Sequence, residues 1–142
     1  MNLTMHFTLE EMIHSDYAEK HDISNSPSQI VIDNLIMLCV LILEPLRTVL
    51  NKPIMINSGF RCQDLNKAVG GVPNSHHLQG LAADINFNSE AELKKMLFSL
   101  KYNTHLDLAL IERSKSSKWL HVQLPLKGRP PRRRITSVYV TK

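Results

Sequence analysis

Residues 29–50, "QIVIDNLIMLCVLILEPLRTVL", constrain the fold more than any other stretch. Apolar side chains fall on every side of a helical projection, so this helix has to be the buried centre of whatever the chain builds. The preceding "NSPS" supplies a start, with Ser26 as cap, Pro27 at the first helical position and Gln29 at the capping-box position. Pro45 lacks an N–H and predicts a kink or break. The longest uninterrupted apolar run, Leu35 to Leu43, is nine residues, too short to cross a bilayer. A chain of 142 residues then closes one domain around this helix.

The remaining elements follow from local patterns. "FTLEEMI" opens a helix at Thr8, with Glu11 completing a capping box and Phe7 and Met12 forming a hydrophobic staple. "KPIMINSGF" ends a short strand at Ser58-Gly59, "QDLNKAV" is a short helix closed by Gly70-Gly71, and residues 72–80 read as loop. Residues 81–87 read as a buried strand, and Ser89 with Glu92 caps the amphipathic helix "SEAELKKMLFSL". "LDLALIE" and "WLHVQL" are strands joined by "RSKSSK", and "RITSVYV" is a last edge strand. Helices lead and strands follow, so the class is α+β, a small antiparallel sheet packed against N-terminal helices.

Composition narrows the partners. Lys and Arg number 17 against 13 Asp and Glu, a net charge of +4, and part of the excess clusters at Lys127, Arg129, Arg132, Arg133 and Arg134. The chain therefore divides into a domain over residues 1–126 and a basic, solvated C-terminal tail over 127–142. Aromatics make up 6% and lie far from the basic run, which argues against a nucleic-acid surface. The two cysteines form no disulfide framework: Cys39 reads as core and Cys62 as partly exposed. The N-terminus lacks a secretory pattern, so the protein is expected to be made in the cytoplasm, with no membrane insertion and a monomer favoured.

Chemistry enters with "NSHHLQGLAADI", residues 74–85. Asp84 sits among Leu81, Ala82, Ala83 and Ile85, and a buried carboxylate needs a cation, a metal or several donors beside it. On one strand His77 and Asp84 would lie roughly 23 Å apart on opposite faces; on one helix about 10 Å of rise would separate them. Neither geometry lets both reach one ion, since zinc ligands stand about 2.0–2.2 Å from the metal. The chain must fold back, and Gly80 permits it. His121 in "KWLHVQL" is the best third ligand. If "RSKSSK" closes a hairpin with Glu112 opposite Trp119, Glu112 and His121 become diagonal neighbours about 7–8 Å apart on one face. A slip of one residue would undo this. Three protein ligands with an open position make a catalytic zinc site, and four make a structural one.

"SGFR" at 58–61, "S-x-H-x-x-G-x-A-x-D" at 75–84 and "W-x-H" at 119–121 resemble the zinc D-Ala-D-Ala carboxypeptidase family. Those enzymes cleave peptidoglycan stem peptides, on a fold shared with the hedgehog signalling domain. The resemblance runs from about residue 7 to 124. It implies zinc held by His77, Asp84 and His121, with Glu112 as general base. It implies Arg61 as a catalytic and substrate-binding residue and Ser75 as a substrate-site residue. His76 occupies a variable position of the motif and is expected in the loop; Cys62 stands where the family often has a small polar residue. The implied activity is a zinc-dependent peptidase on peptidoglycan peptides, either a D-Ala-D-Ala carboxypeptidase or a phage-lysin-type endopeptidase. Its site of action would be the bacterial cell wall, reached by phage-type release and held through the basic tail. The rival is a non-catalytic, zinc-stabilised binding domain of hedgehog-like fold. Trp119 is expected in the core or a pocket wall, and His6, His14, His21 and His105 on the surface without partners.

Overall fold

The computed structural model describes residues 1–139; Val140, which the sequence assigns to the last strand, lies outside them with Thr141 and Lys142. Helix α1 (Leu9–Ile13) has the predicted box: the Thr8 hydroxyl accepts from the Glu11 N–H at 3.2 Å, and the Glu11 carboxylate accepts from the Thr8 N–H at 2.9 Å. Phe7 and Met12 are both buried, as a staple requires. Helix α2 (Asp16–Lys20) follows.

The central helix departs from expectation at both marked points. Helix α3 (Gln29–Leu38) is capped by Ser28, not Ser26, with the Ser28 hydroxyl accepting from the Val31 N–H at 3.3 Å. Pro27 therefore precedes the cap, and Gln29 opens the first turn. Val31, Leu35 and Leu38, spaced at i, i+4 and i+7, form the inward face. At Pro45 the helix neither breaks nor ends. A π-helical turn (Cys39–Leu43) leads into α4 (Glu44–Leu50), and the Glu44 N–H reaches back five residues to the Cys39 carbonyl. The Leu41 carbonyl, four residues before the proline, instead accepts from the Asn103 side chain at 2.9 Å. The resulting 22-residue helix, Gln29–Leu50, is long and apolar enough to cross a membrane by length and composition. Its Leu35, Leu38, Cys39, Ile42, Leu43 and Leu46 are fully buried in the core, whereas Ile30, Met37, Val40 and Val49 are exposed, so the helix is buried on one side and not all round as expected.

The sheet has five strands in the order β1 (Ile56–Ser58), β2 (Ala82–Ile85), β4 (Lys118–Gln123), β3 (Leu108–Arg113), β5 (Arg134–Tyr139). The first three pairings along that order are antiparallel, and β5 runs parallel to β3. The sheet is therefore mixed, where a wholly antiparallel one was expected. The cause is the return path after β4: the Arg133 N–H bonds the Leu106 carbonyl and the Arg134 N–H the Asp107 carbonyl, so β5 starts beside the start of β3. Helix α5 (Gln63–Ala68) follows β1, and α6 (Glu90–Lys101) buries Leu93, Met96 and Leu100. Within the stretch read as loop, His76–Gln79 forms a 3₁₀ turn. The architecture is α+β.

Candidate metal centre

Asp84 lies on β2, directly opposite His121 on β4. His77 comes from the 3₁₀ turn, which the Ser75 hydroxyl caps by accepting from the His77 N–H at 3.2 Å. Gly80 ends that turn at φ +72°, and a Cβ there would stand 2.8 Å from the Val31 carbonyl oxygen. Only glycine both takes this backbone conformation without strain and lets the turn pack against the central helix. The chain thus folds back between His77 and Asp84 where the spacing required it.

The ring nitrogens can be assigned from their partners. His77 Nδ1 lies 2.6 Å from the Gly59 carbonyl, which only accepts, so Nδ1 carries the proton and Nε2 presents a lone pair. His77 Nε2 is 3.4 Å and His121 Nδ1 2.8 Å from the same Asp84 oxygen. His121 Nε2 is 2.7 Å from Gln123 Oε1 and donates to it. One ligand atom from each of His77, Asp84 and His121 lies within 4.8 Å of the others. Two imidazole nitrogens and one carboxylate converging in this way match the donor set of a three-ligand zinc site. The electrostatics agree. Burial alone would raise the Asp84 carboxyl, but the His77 ring in its protonated form and the His121 hydrogen bond hold it well below the usual carboxylate range. Burial likewise disfavours the charged His121 ring, and the hydrogen bond and charge of Asp84 outweigh it and raise that imidazole. Asp84 is already arranged to sit beside positive charge.

The β3–β4 register pairs Glu112 with Trp119 and Leu110 with His121, which makes Glu112 and His121 diagonal neighbours on one face. Glu112 is half-buried, and burial followed by the charge of Asp84 raises its carboxyl, against the opposing pull of His121. Arg61 is tied to the 3₁₀ turn through its N–H, which bonds the His77 carbonyl at 3.1 Å. Its Nη2 lies 3.5 Å from the Ser75 hydroxyl, and its buried Nε has no hydrogen-bond partner among the described residues. Arg61, Ser75, His77, Asp84, Glu112 and His121 all line one open cavity of about 450 Å³, with Trp119 in its wall. Cys62 precedes α5, where its N–H donates to Asn25 Oδ1 at 2.7 Å.

Some residues at this site were not anticipated. His76 is a wall residue rather than a free loop residue, with Nδ1 3.0 Å from the Leu124 carbonyl and Nε2 3.4 Å from Gln123 Nε2. Gln123 had a signal, because it follows His121 by two positions on the same strand and so shares its face. Beyond it lie Asp107 and Arg132, which no local pattern marks. Three of the surface histidines also have partners: His6 with Glu44, His14 with Asp16, and His21 stacked on Tyr17.

Over 40 residues, 28% of this chain, the sequence is 48% identical to the zinc D-Ala-D-Ala carboxypeptidase of Streptomyces albus G; that match covers 16% of the relative's length. Residues 5–123, a span taking in the whole His77–Asp84–His121 group, match the family described as Peptidase M15. On that match, which covers well over half its length, the chain belongs to the peptidase M15 family.

Proposed function

We propose that this protein is a zinc-dependent peptidase that hydrolyses peptide bonds in peptidoglycan stem peptides. The observation that carries the reading is the gathering of His77 Nε2, the Asp84 carboxylate and His121 Nδ1 within 4.8 Å of one another, with Glu112 one diagonal step from His121 in the same open cavity. Zinc, when bound, supplies a Lewis acid that polarises the scissile carbonyl and acidifies water. His77, Asp84 and His121 would hold it. Glu112 takes the proton of the attacking water and returns it to the leaving amine. The Arg61 guanidinium, whose Nε has no hydrogen-bond partner among the described residues, stabilises the oxyanion or pairs with a substrate carboxylate. Ser75 lines the substrate side. The similarity to a D-Ala-D-Ala carboxypeptidase favours stem peptides as the substrate.

Action at the cell wall fits the basic C-terminal segment, where Lys127, Arg129, Arg133 and Arg134 are exposed and suited to anionic wall polymers. Because β5 pairs with β3, this contribution is better tested by charge-reversing Lys127 and Arg129 than by removing the segment. Weakened wall binding at low salt, with unchanged cleavage of a short peptide, is the expected result.

The function itself is tested by digesting purified peptidoglycan with zinc-loaded protein, with and without a chelator, and weighing the products. Chelator-sensitive release is expected. Free D-alanine would identify a carboxypeptidase, and larger stem fragments an endopeptidase of lysin type. No release from zinc-loaded protein, together with no effect of changing Glu112, would leave the zinc-stabilised binding domain as the better account.

A further inference from the structure

Asp107, at the entrance to β3, is 3% exposed and is one of the few buried charged groups. Arg132 grips it with a fork, Nε to Oδ1 at 3.0 Å and Nη2 to Oδ2 at 2.9 Å, and its backbone N–H adds a third bond to Oδ1 at 3.1 Å. The fourth bond to this carboxylate comes from Gln123 Nε2, 2.8 Å from Oδ2. Gln123 is 5% exposed, and its other end meets His121 Nε2 at 2.7 Å.

The orientation of the Gln123 amide is forced. Its nitrogen faces two acceptors, the Asp107 carboxylate and His76 Nε2; the latter is unprotonated because His76 Nδ1 donates to the Leu124 carbonyl. A flipped amide would set a carbonyl oxygen against a carboxylate. Gln123 Oε1 must therefore face His121, where it accepts the Nε2 proton and leaves Nδ1 as the nitrogen turned towards Asp84. Metal-binding histidines are commonly fixed by a carboxylate or carbonyl on the distal ring nitrogen. Here a neutral amide does so, itself locked by an ion pair one residue further away.

We propose that Gln123, held by the Asp107–Arg132 ion pair, is a positioning residue that fixes the His121 tautomer and so directs Nδ1 at the metal. By this linkage the C-terminal segment becomes part of the metal site's support. The inference rests on the zinc reading above.

The test is zinc affinity, measured by competition with a chromophoric chelator. It is paired with nitrogen-15 NMR of the histidine rings in zinc-loaded protein and with the thermal melt of the metal-free chain. Gln123→Met keeps the volume and removes the acceptor; its zinc affinity should fall about 10- to 100-fold, with a His121 Nε2–H signal lost or exchange-broadened. Arg132→Ala, two bonds away, should weaken zinc about threefold to tenfold, and Lys95→Ala, at an exposed position of α6 outside the cavity lining, should change it less than twofold. The double variant Gln123→Glu with Asp107→Asn keeps an acceptor for His121 and moves the carboxylate to position 123, where the new amide at position 107 can donate to it, leaving Arg132 that amide's carbonyl oxygen. It should recover affinity to within about threefold of the parent, a rescue that separates positioning from general loss of packing. Parent protein that binds zinc tightly, with Gln123→Met unchanged in affinity and in the His121 signal, would overturn this inference alone. Failure of the parent to bind zinc at all would overturn the zinc reading and this inference with it.

Discussion

The two histidines of the candidate metal centre are held in opposite ways. His77 is fixed locally: Ser75 caps its turn, Gly80 ends it, and the neighbouring β1 loop offers the Gly59 carbonyl to Nδ1. His121 is fixed by pairings between distant parts of the chain, the β2–β4 register and the series Gln123, Asp107 and Arg132. One ligand thus belongs to a short motif that carries its own geometry. The other depends on the whole sheet being assembled.

The largest effects come from removing either ligand. His77→Ala and His121→Ala should each abolish tight zinc binding and activity, as read by metal content after dialysis; retention of zinc by either variant would break the three-ligand site. Next comes Glu112→Gln, which shares the sheet face of His121 without being a ligand. It should keep zinc and lose about 10²- to 10⁴-fold in turnover. An unchanged rate would remove Glu112 from the mechanism.

Two stability measurements probe the supports themselves. Gly80→Ala, on the His77 side, forces a side chain into positive φ and against the Val31 carbonyl. It should cost about 3 kcal/mol in urea unfolding of the metal-free chain. On the His121 side, Arg132 and Gln123 hold the buried Asp107 carboxyl down to about 2, from an ordinary value of 3.8, despite its burial. A lowered carboxyl stabilises the fold above its unfolded value and loses that contribution as pH falls through the folded one. Between about pH 4 and pH 2, therefore, about 2 kcal/mol should disappear. Asp107→Asn should lack that increment, and an unaltered pH profile would show that the ion pair contributes nothing to the fold.

This contrast also explains what was legible in the sequence. The His77 side could be read because its determinants are contiguous: a serine, a histidine, a glycine and an aspartate within ten positions. The hairpin register was legible because the short polar loop "RSKSSK" admits few pairings, and Glu112 does face Trp119. Pro45 misled, because its freed carbonyl is satisfied by Asn103, 62 positions from Leu41. Ser26 and Ser28 are both cap residues by type, and the Ser28 hydroxyl is the one that bonds the Val31 N–H. The Asp107–Arg132 pair was invisible for the same reason as the parallel β5. Both arise where the chain returns from β4 to the start of β3, a path no local pattern encodes. The basic run read as a solvated tail thus contains one arginine, itself exposed, that pairs with a buried acid.

The most direct test of the central claim is a crystal of zinc-loaded protein measured at the zinc absorption edge. The account predicts one anomalous peak about 2.0–2.2 Å from His77 Nε2, His121 Nδ1 and an Asp84 oxygen, with no fourth protein ligand. A peak elsewhere, or one closed off by a fourth side chain, would contradict it.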